Sequence, residues 1–343
     1  MLIPSSYIKL IPSDMTTATT RNNIQHIVNE IKLQERLIRQ RYTFLKYQNQ
    51  ISILILLLSF IGMVGIGTLY VLEQVPAFTC IVIAAIFASI SHELEHDLIH
   101  KQYFKTNTFA HNTMLLIVWL MRPNTINPWY RRRIHLHHHK TSGSSQDIEE
   151  RLVGNGIKNP LIRAIVIADG LLGLLLMQKR YRKEVNGFRF FALFNAGFPI
   201  TTCYFAILYS ALLYHSVNLI EGNTLAWPLW LVATMDWVDM LMVVLILPNV
   251  LRSICLNFVT SSMHYYGGVS NLLEQTHVLN HWLMTPFQLF CFNFGATHSI
   301  HHFVPNQPFY IRQLIAAKVL PVMKRHGVNF NDFKSLKNAN LYT

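Results

Sequence analysis

Residues 51–72 read ISILILLLSFIGMVGIGTLYVL and carry no charge over 22 positions. A run of that length and character matches the helix needed to cross the hydrocarbon core of a bilayer. In lipid the backbone satisfies its own polar groups only as a helix or a closed barrel, so the segment predicts a spanning helix. After the short polar break Glu73-Gln74, residues 75–91 form a second uncharged run. The two make a helical hairpin, with Ser91 to His100 as the end where the second helix leaves the bilayer. A second pair is expected over 190–220 and 227–250, joined by EGNTLA. Asp236 and Asp239 fall inside its last member, where an ionisable side chain is costly and faces a polar interior or marks the limit of the segment.

Charge placement tests this layout. The chain is 51% apolar and only 13% charged, against about 25% charged in soluble domains. Its formal charge is +12, and none of its 29 Lys and Arg residues lies in the short loops 73–75 and 221–226. Seven lie in 1–50, fifteen in 101–189 and seven in 252–343. By the positive-inside rule both hairpin turns face outward and both termini are cytoplasmic. The N-terminus, MLIPSSYIKLIPSDMTTATT, lacks the basic start and apolar run of a signal peptide, which also predicts a cytosolic start. Nothing in the basic regions matches a nucleic-acid-binding motif. Cys80, Cys203, Cys255 and Cys291 are widely spaced, form no C-x-x-C pair, and read as reduced core residues.

The expected fold class is all-α and integral to the membrane. Four transmembrane helices form two hairpins, with interfacial helices and a cytosolic histidine-rich metal site. The expected organisation is a cytosolic segment 1–50, a membrane domain 51–310 and a cytosolic tail 311–343. Within 22–50, Ile24, Ile27, Val28, Ile31, Leu37 and Ile38 give an amphipathic helix that lies on the membrane or on the protein. FAHNTMLLIVWLM and LIRAIVIADGLLGLLLM interrupt the basic stretch 101–189 and predict interfacial helices.

Seventeen histidines fall into a pattern. SHELEHDLIH contains His92 and His96 at i and i+4, one face of a helix, and matches the H-E-x-x-H of zinc proteases. His96 and His100 repeat the spacing. RRRIHLHHHK contains His135, His138 and His139 as H-x-x-H-H, and THSIHHF repeats that order with His298, His301 and His302. On a helix such a triplet feeds two adjacent metals. His264 lies between, in SSMHYYGG. His26, His111, His215 and His326 stand alone and receive no role. His277 and His281 form one more i, i+4 pair and are left outside the set.

The three boxes together resemble those of the membrane fatty acid desaturase superfamily, which includes alkane and fatty acid hydroxylases. HELEH looks like the H-E-L-x-H form of the alkane hydroxylases. MHYYGG is similar to the element that brings one further histidine, and HHFVP to the family's closing H-H-x-x-P. The resemblance runs from about Ile51 to Pro308 and implies nine metal ligands: His92, His96, His135, His138, His139, His264, His298, His301 and His302. His96/His100 remains an alternative to His92/His96. The resemblance further implies two iron ions, O2 as co-substrate, and desaturation of a lipid acyl chain or its hydroxylation. Asp147, after the second box, is expected to orient a ligand or substrate. Glu93 becomes a supporting residue rather than a catalyst.

No haem motif, iron–sulfur cysteine set or dinucleotide fingerprint is present. Electrons would therefore come from a separate carrier, ferredoxin-like or haem-containing, docking on the basic cytosolic face. Two rivals weigh less. A zinc protease would use Glu93 as base and leave both H-x-x-H-H boxes idle. A metal transporter would place its site near the bilayer midplane, whereas every box lies at the cytosolic edge of the layout.

Overall fold

The computed structural model describes residues 17–222 and 225–342. The first sixteen residues, read above for a signal peptide, lie outside it, as do positions 223–224 of the second hairpin loop. Helices dominate, and among the described residues the β-pairing consists of isolated bridges at His264–Thr276 and Val278–Phe330. Four helices are long and apolar enough to cross a membrane: α2 (Gln48–Val71), α3 (Ala77–Ile99), α10 (Ile200–Ile220) and α11 (Leu229–Met263).

The first hairpin is held by a seam of small residues. Ser52, Leu56, Ser59, Met63 and Ile66, at alternating steps of four and three, are buried on α2 with Gly67 beside them. Leu56 and Met63 pack with Ala88 of α3 and Ile66 with Cys80 and Ala84, while Gly67 faces Val244. Small residues let apolar helices approach closely where water supplies no hydrophobic drive between them. Leu54, Leu58 and Ile61 point the other way and are exposed, as a lipid-facing stripe should be.

The second pair departs from the sequence expectation at both ends. The run 190–220 is not one helix. It divides into α9 (Phe190–Gly197) and α10, with Pro199 capping the latter. Proline lacks the N–H that would continue the ladder and disfavours helix in the residue before it. The break is tied down, since Thr201 Oγ1 donates to Thr125 O at 2.6 Å and Asn127 Nδ2 to Ala196 O at 2.8 Å. In contrast, α11 does not stop near residue 250. It runs 35 residues, about 52 Å at helical rise, through a π turn at Met242–Ile246. That exceeds a bilayer core of about 30 Å, so its last turns project beyond the apolar layer and carry His264 with them. Within the span, Asp239 Oδ1 lies 2.7 Å from Nε2 of His215 on α10.

The remaining helices assemble around the projecting ends of α3 and α11. They are α4 (Thr108–Met121), α5 (Pro128–Thr141), α6 (Ile148–Leu152), α7 (Pro160–Ala168) and α8 (Gly170–Glu184). After α11 come α12 (Phe294–Phe303) and α13 (Phe309–Arg325). The amphipathic α1 (Ala18–Arg41) lies on the protein: Ile27 and Ile31 are buried among Ile311, Ile315 and Val319 of α13. The segment 311–343 thus packs into the same body as the histidine boxes. The apolar run at 161–177 forms two helices, because Asp169 ends α7 and caps α8 by accepting from Leu172 N at 2.9 Å.

Candidate metal centre

The end of α3 is a hub with three polar faces. His96, and His100 at the helix C-cap, face α5 and α12. Glu93 and Asp97, four residues apart, face α13, where Arg312 Nη2 donates to Glu93 at 3.1 Å and Nη1 reaches Asp97 at 3.4 Å. Glu95 receives Arg122 and, at 2.5 Å, Arg131. Arg132 on α5 closes the helix end by donating to the carbonyls of Ile99 and Leu98, both at 3.0 Å. Cations belong at a helix C-terminus, where carbonyls are left unpaired. Two of the three consecutive arginines before the second box therefore dock α5 against α3 rather than form a solvated basic patch.

This docking brings the boxes together in two groups of four. His96, His100, His135 and His301 form one, and His138, His264, His298 and His302 the other; in each, the candidate ligand nitrogens lie within 4.8 Å of one another. The H-x-x-H-H boxes divide between them. His135 goes to the first group and His138 to the second; His301 goes to the first, and His298 and His302 to the second. His139 adjoins the first group: its Nε2 is 3.0 Å from that of His301, 3.2 Å from His135 and 3.3 Å from His100. Its ring also stands 5.2 Å from that of His302. His137, in the same run, is exposed and outside both.

Of the two pairs the first box offers, His96 and His100 both fall within the first group, and His92 does not. His100 Nε2 is 2.9 Å from His135 Nε2. His92 joins neither group; its Nδ1 lies 3.1 Å from Arg122 Nη1. A zinc protease would need His92 and His96 on one ion with Glu93 free, but Glu93 is engaged by Arg312. Lone His26 and His326 stack at the surface, and His277 Nε2 bonds Ser262 O at 2.9 Å.

The geometry fits a metal. Five imidazole pairs hold Nε2 atoms 2.9–3.3 Å apart. Around an ion with metal–nitrogen bonds of about 2.1 Å, neighbouring ligands stand about 3.0–3.4 Å apart. Both ring nitrogens of His96 and Nδ1 of His298 are buried with no partner among the described residues, which is rare for groups that hydrogen-bond this strongly. Coordination would satisfy them.

Carboxylates orient the rings from behind. His138 Nδ1 is 2.8 Å from Asp147 and His135 Nδ1 is 2.8 Å from Glu149. His264 Nδ1 lies 2.8 Å from Thr260 O and 3.4 Å from Glu150. His302 Nδ1 is 3.0 Å from the amide oxygen of Gln275. Asp147 was legible in the sequence; Glu149, Glu150 and Gln275 were not. The signal for the glutamates is the run Asp147-Ile148-Glu149-Glu150 itself, which forms the N-cap and first turn of α6, three acids aimed back at α5 and α11.

Protonation suits ligation. Burial, reinforced by neighbouring histidines, holds His100, His139, His298, His301 and His302 well below the usual imidazole range. Burial likewise lowers His264, to about 3. These rings are neutral at physiological pH, the form that binds metals. His138 is the exception: burial acts to lower it, but Asp147, with Glu149 and Glu150 close by, outweighs that and raises it to about 10. Glu149 goes the other way; burial would raise it, yet His135, His138 and Arg131 hold it below the ordinary carboxylate range.

Beside the histidines lies an apolar cavity of about 490 Å³, bordered by α7, α8, α9, α10 and α11. A smaller chamber between the two groups shares His92, Arg131, Glu149, Leu256 and Asn257 with it. The large cavity therefore abuts the centre.

No curated protein matches the chain. The family model described as fatty acid desaturase matches residues 73–334, from the first hairpin turn through all three histidine boxes. With that match over most of its length, and with four apolar helices and the histidine centre, the chain belongs to the fatty acid desaturase family.

Proposed function

We propose that this protein is an O2-dependent, membrane-embedded lipid oxidoreductase that desaturates an acyl chain at a histidine-held di-iron centre. One observation carries the reading: two adjacent groups of four imidazoles abut an apolar cavity in a bundle of membrane-length helices. The ligand set is His96, His100, His135 and His301 on one side, and His138, His264, His298 and His302 on the other. His139 stands between them as the ninth, so the set differs from the sequence expectation in taking His100 for His92. Iron held there would supply what imidazoles cannot, O2 activation and removal of hydrogen from an unactivated C–H bond.

The chain's own residues do the rest. Asp147 and Glu149 fix the tautomers and directions of His138 and His135. Arg132 and Arg312 hold α3 against α5 and α13, so that histidines from four elements meet. Leu174, Leu193 and Phe205 offer the acyl chain an apolar wall and keep water from the reacting carbon. The absence of Lys and Arg from both hairpin loops supports a cytosolic centre and cytosolic termini. A separate reduced carrier, ferredoxin-like or haem-containing, would dock on that basic face.

The test is expression in a host that supplies a reductase, with metal analysis and lipid mass spectrometry. Loss of two hydrogens from an acyl chain establishes desaturation; gain of one oxygen assigns hydroxylation on the same scaffold. Unchanged lipids, with iron loaded and electrons supplied, would overturn the proposal.

A further inference from the structure

The cavity is lined by a cation that no carboxylate among the described residues pairs with. Arg252 lies on α11, one helical turn before Leu256, which borders both the cavity and the histidine chamber. The residue is 1% exposed. Its Nη2 donates to Asn124 Oδ1 at 3.2 Å and Ser253 Oγ at 2.9 Å. Among the described residues its Nε and Nη1 meet no acceptor, and no carboxylate pairs with it. The other arginines of this region are matched: Arg122 and Arg131 share Glu95, and Arg131 also lies 3.9 Å from Glu149. A buried charge is costly unless paired and hydrogen-bonded. Arg252 therefore stands out as a buried charge with no ion-pair partner among the described residues.

We infer that Arg252, with Asn124 and Ser253, binds an anionic oxygen group of an amphipathic ligand whose apolar chain fills this cavity. The inference rests on reading the cavity as the acyl site. The shared chemistry is a carboxylate or a phosphate. A guanidinium presents N–H donors in a planar fork that matches either. Arg131, Glu149 and Asp169 also line the cavity, but Arg131 is held by Glu95 and Glu149, Glu149 by His135 and Asp169 by Tyr209. The Arg252 guanidinium, unpaired among the described residues, balances one negative charge, which favours the carboxylate of a free fatty acid. The consequence is a selection rule. The charged end of the ligand is held inside the protein, close to the histidine chamber, and a chain whose carboxyl is esterified loses that anchor.

Equilibrium binding to the purified, iron-loaded protein in nanodiscs tests this without turnover. The probes are palmitate, methyl palmitate and palmitoyl lysophosphatidate. Palmitate should bind about 10- to 100-fold more tightly than its methyl ester, the worth of charge-assisted hydrogen bonds. Arg252→Gln should bring the acid to the level of the ester, with iron content and thermal midpoint unchanged, and Arg252→Lys should restore part of the preference. Tighter binding of the lysophosphatidate, abolished by the same variant, upholds the anion site and assigns it to a lipid phosphate. Equal binding of acid and ester by the unaltered protein, or an undiminished preference in Arg252→Gln, overturns the inference. The acid–ester comparison needs no variant, so it decides even if Arg252→Gln fails to fold. Acid preference in a protein that oxidises no lipid removes the proposed reaction and leaves the anion site. Lipid oxidation without acid preference does the reverse.

Discussion

Replacing His100 and, separately, His92 by alanine distinguishes the two ways of reading HELEHDLIH. His100 Nε2 stands 2.9 Å from that of His135 and 3.3 Å from that of His139, whereas His92 is bonded to Arg122 and joins neither imidazole group. Binding of a metal by four protein ligands is worth about 10–16 kcal/mol. A quarter of that is about 3 kcal/mol, or roughly a 100-fold loss of affinity per ligand. His100→Ala should therefore lose metal from the first group on dialysis against a weak chelator and keep it in the second, leaving about one iron per chain. His92→Ala should retain both and keep its iron through the same dialysis. The assay is metal-to-protein ratio by mass spectrometry on detergent-purified protein, before and after dialysis. Full iron in His100→Ala with depletion in His92→Ala would refute the assignment and restore the pair expected from H-E-L-x-H.

Three other outcomes follow from the same geometry. Asp147→Asn keeps the shape beside His138 but removes the charge, and should lower metal affinity about 10- to 100-fold, read by chelator competition; an unchanged affinity would leave Asp147 as only the cap of α6. Arg312→Met strands Glu93 and Asp97, both buried, and should cost about 3–5 kcal/mol, seen as a lower thermal midpoint in detergent; an unshifted midpoint would show that the pairs hold little. Gly295→Ala puts a Cβ 2.9 Å from Leu279 O and 2.5 Å from the Gln288 side-chain nitrogen, so α12 must shift. It should deplete metal from the group containing His298 and His302, and full occupancy with an unchanged midpoint would show the helix can yield.

The membrane-length helices were legible because lipid leaves the backbone one solution for a long uncharged run. Their limits were less so. Pro199 divides 190–220, a break that composition alone hides among apolar neighbours, and α11 passes residue 250 because protein packing takes over where the bilayer ends. The exterior of the centre shows a similar division. Asp147 was marked by the family resemblance, as the aspartate that follows the second box. Glu149 and Glu150 carry no such mark in the sequence, and only the fold sets them against His135 on α5 and Thr260 on α11.

Within the sequence itself, the repeat of one helical turn determined that His135, His138 and His139, and likewise His298, His301 and His302, would point to two neighbouring places. Local spacing is enough for that, since residues three and four apart share a helix face whatever surrounds them. The same rule makes His92/His96 and His96/His100 equivalent, and no spacing can choose between them. The tertiary structure turns the end of α3 so that His96 and His100 meet α5 and α12, His92 meets Arg122, and Glu93 meets Arg312. It also decided that Arg252, one basic residue among 29, would line the cavity without an ion-pair partner among the described residues. Both outcomes depend on which helices lie adjacent, and adjacency is a property of the folded chain.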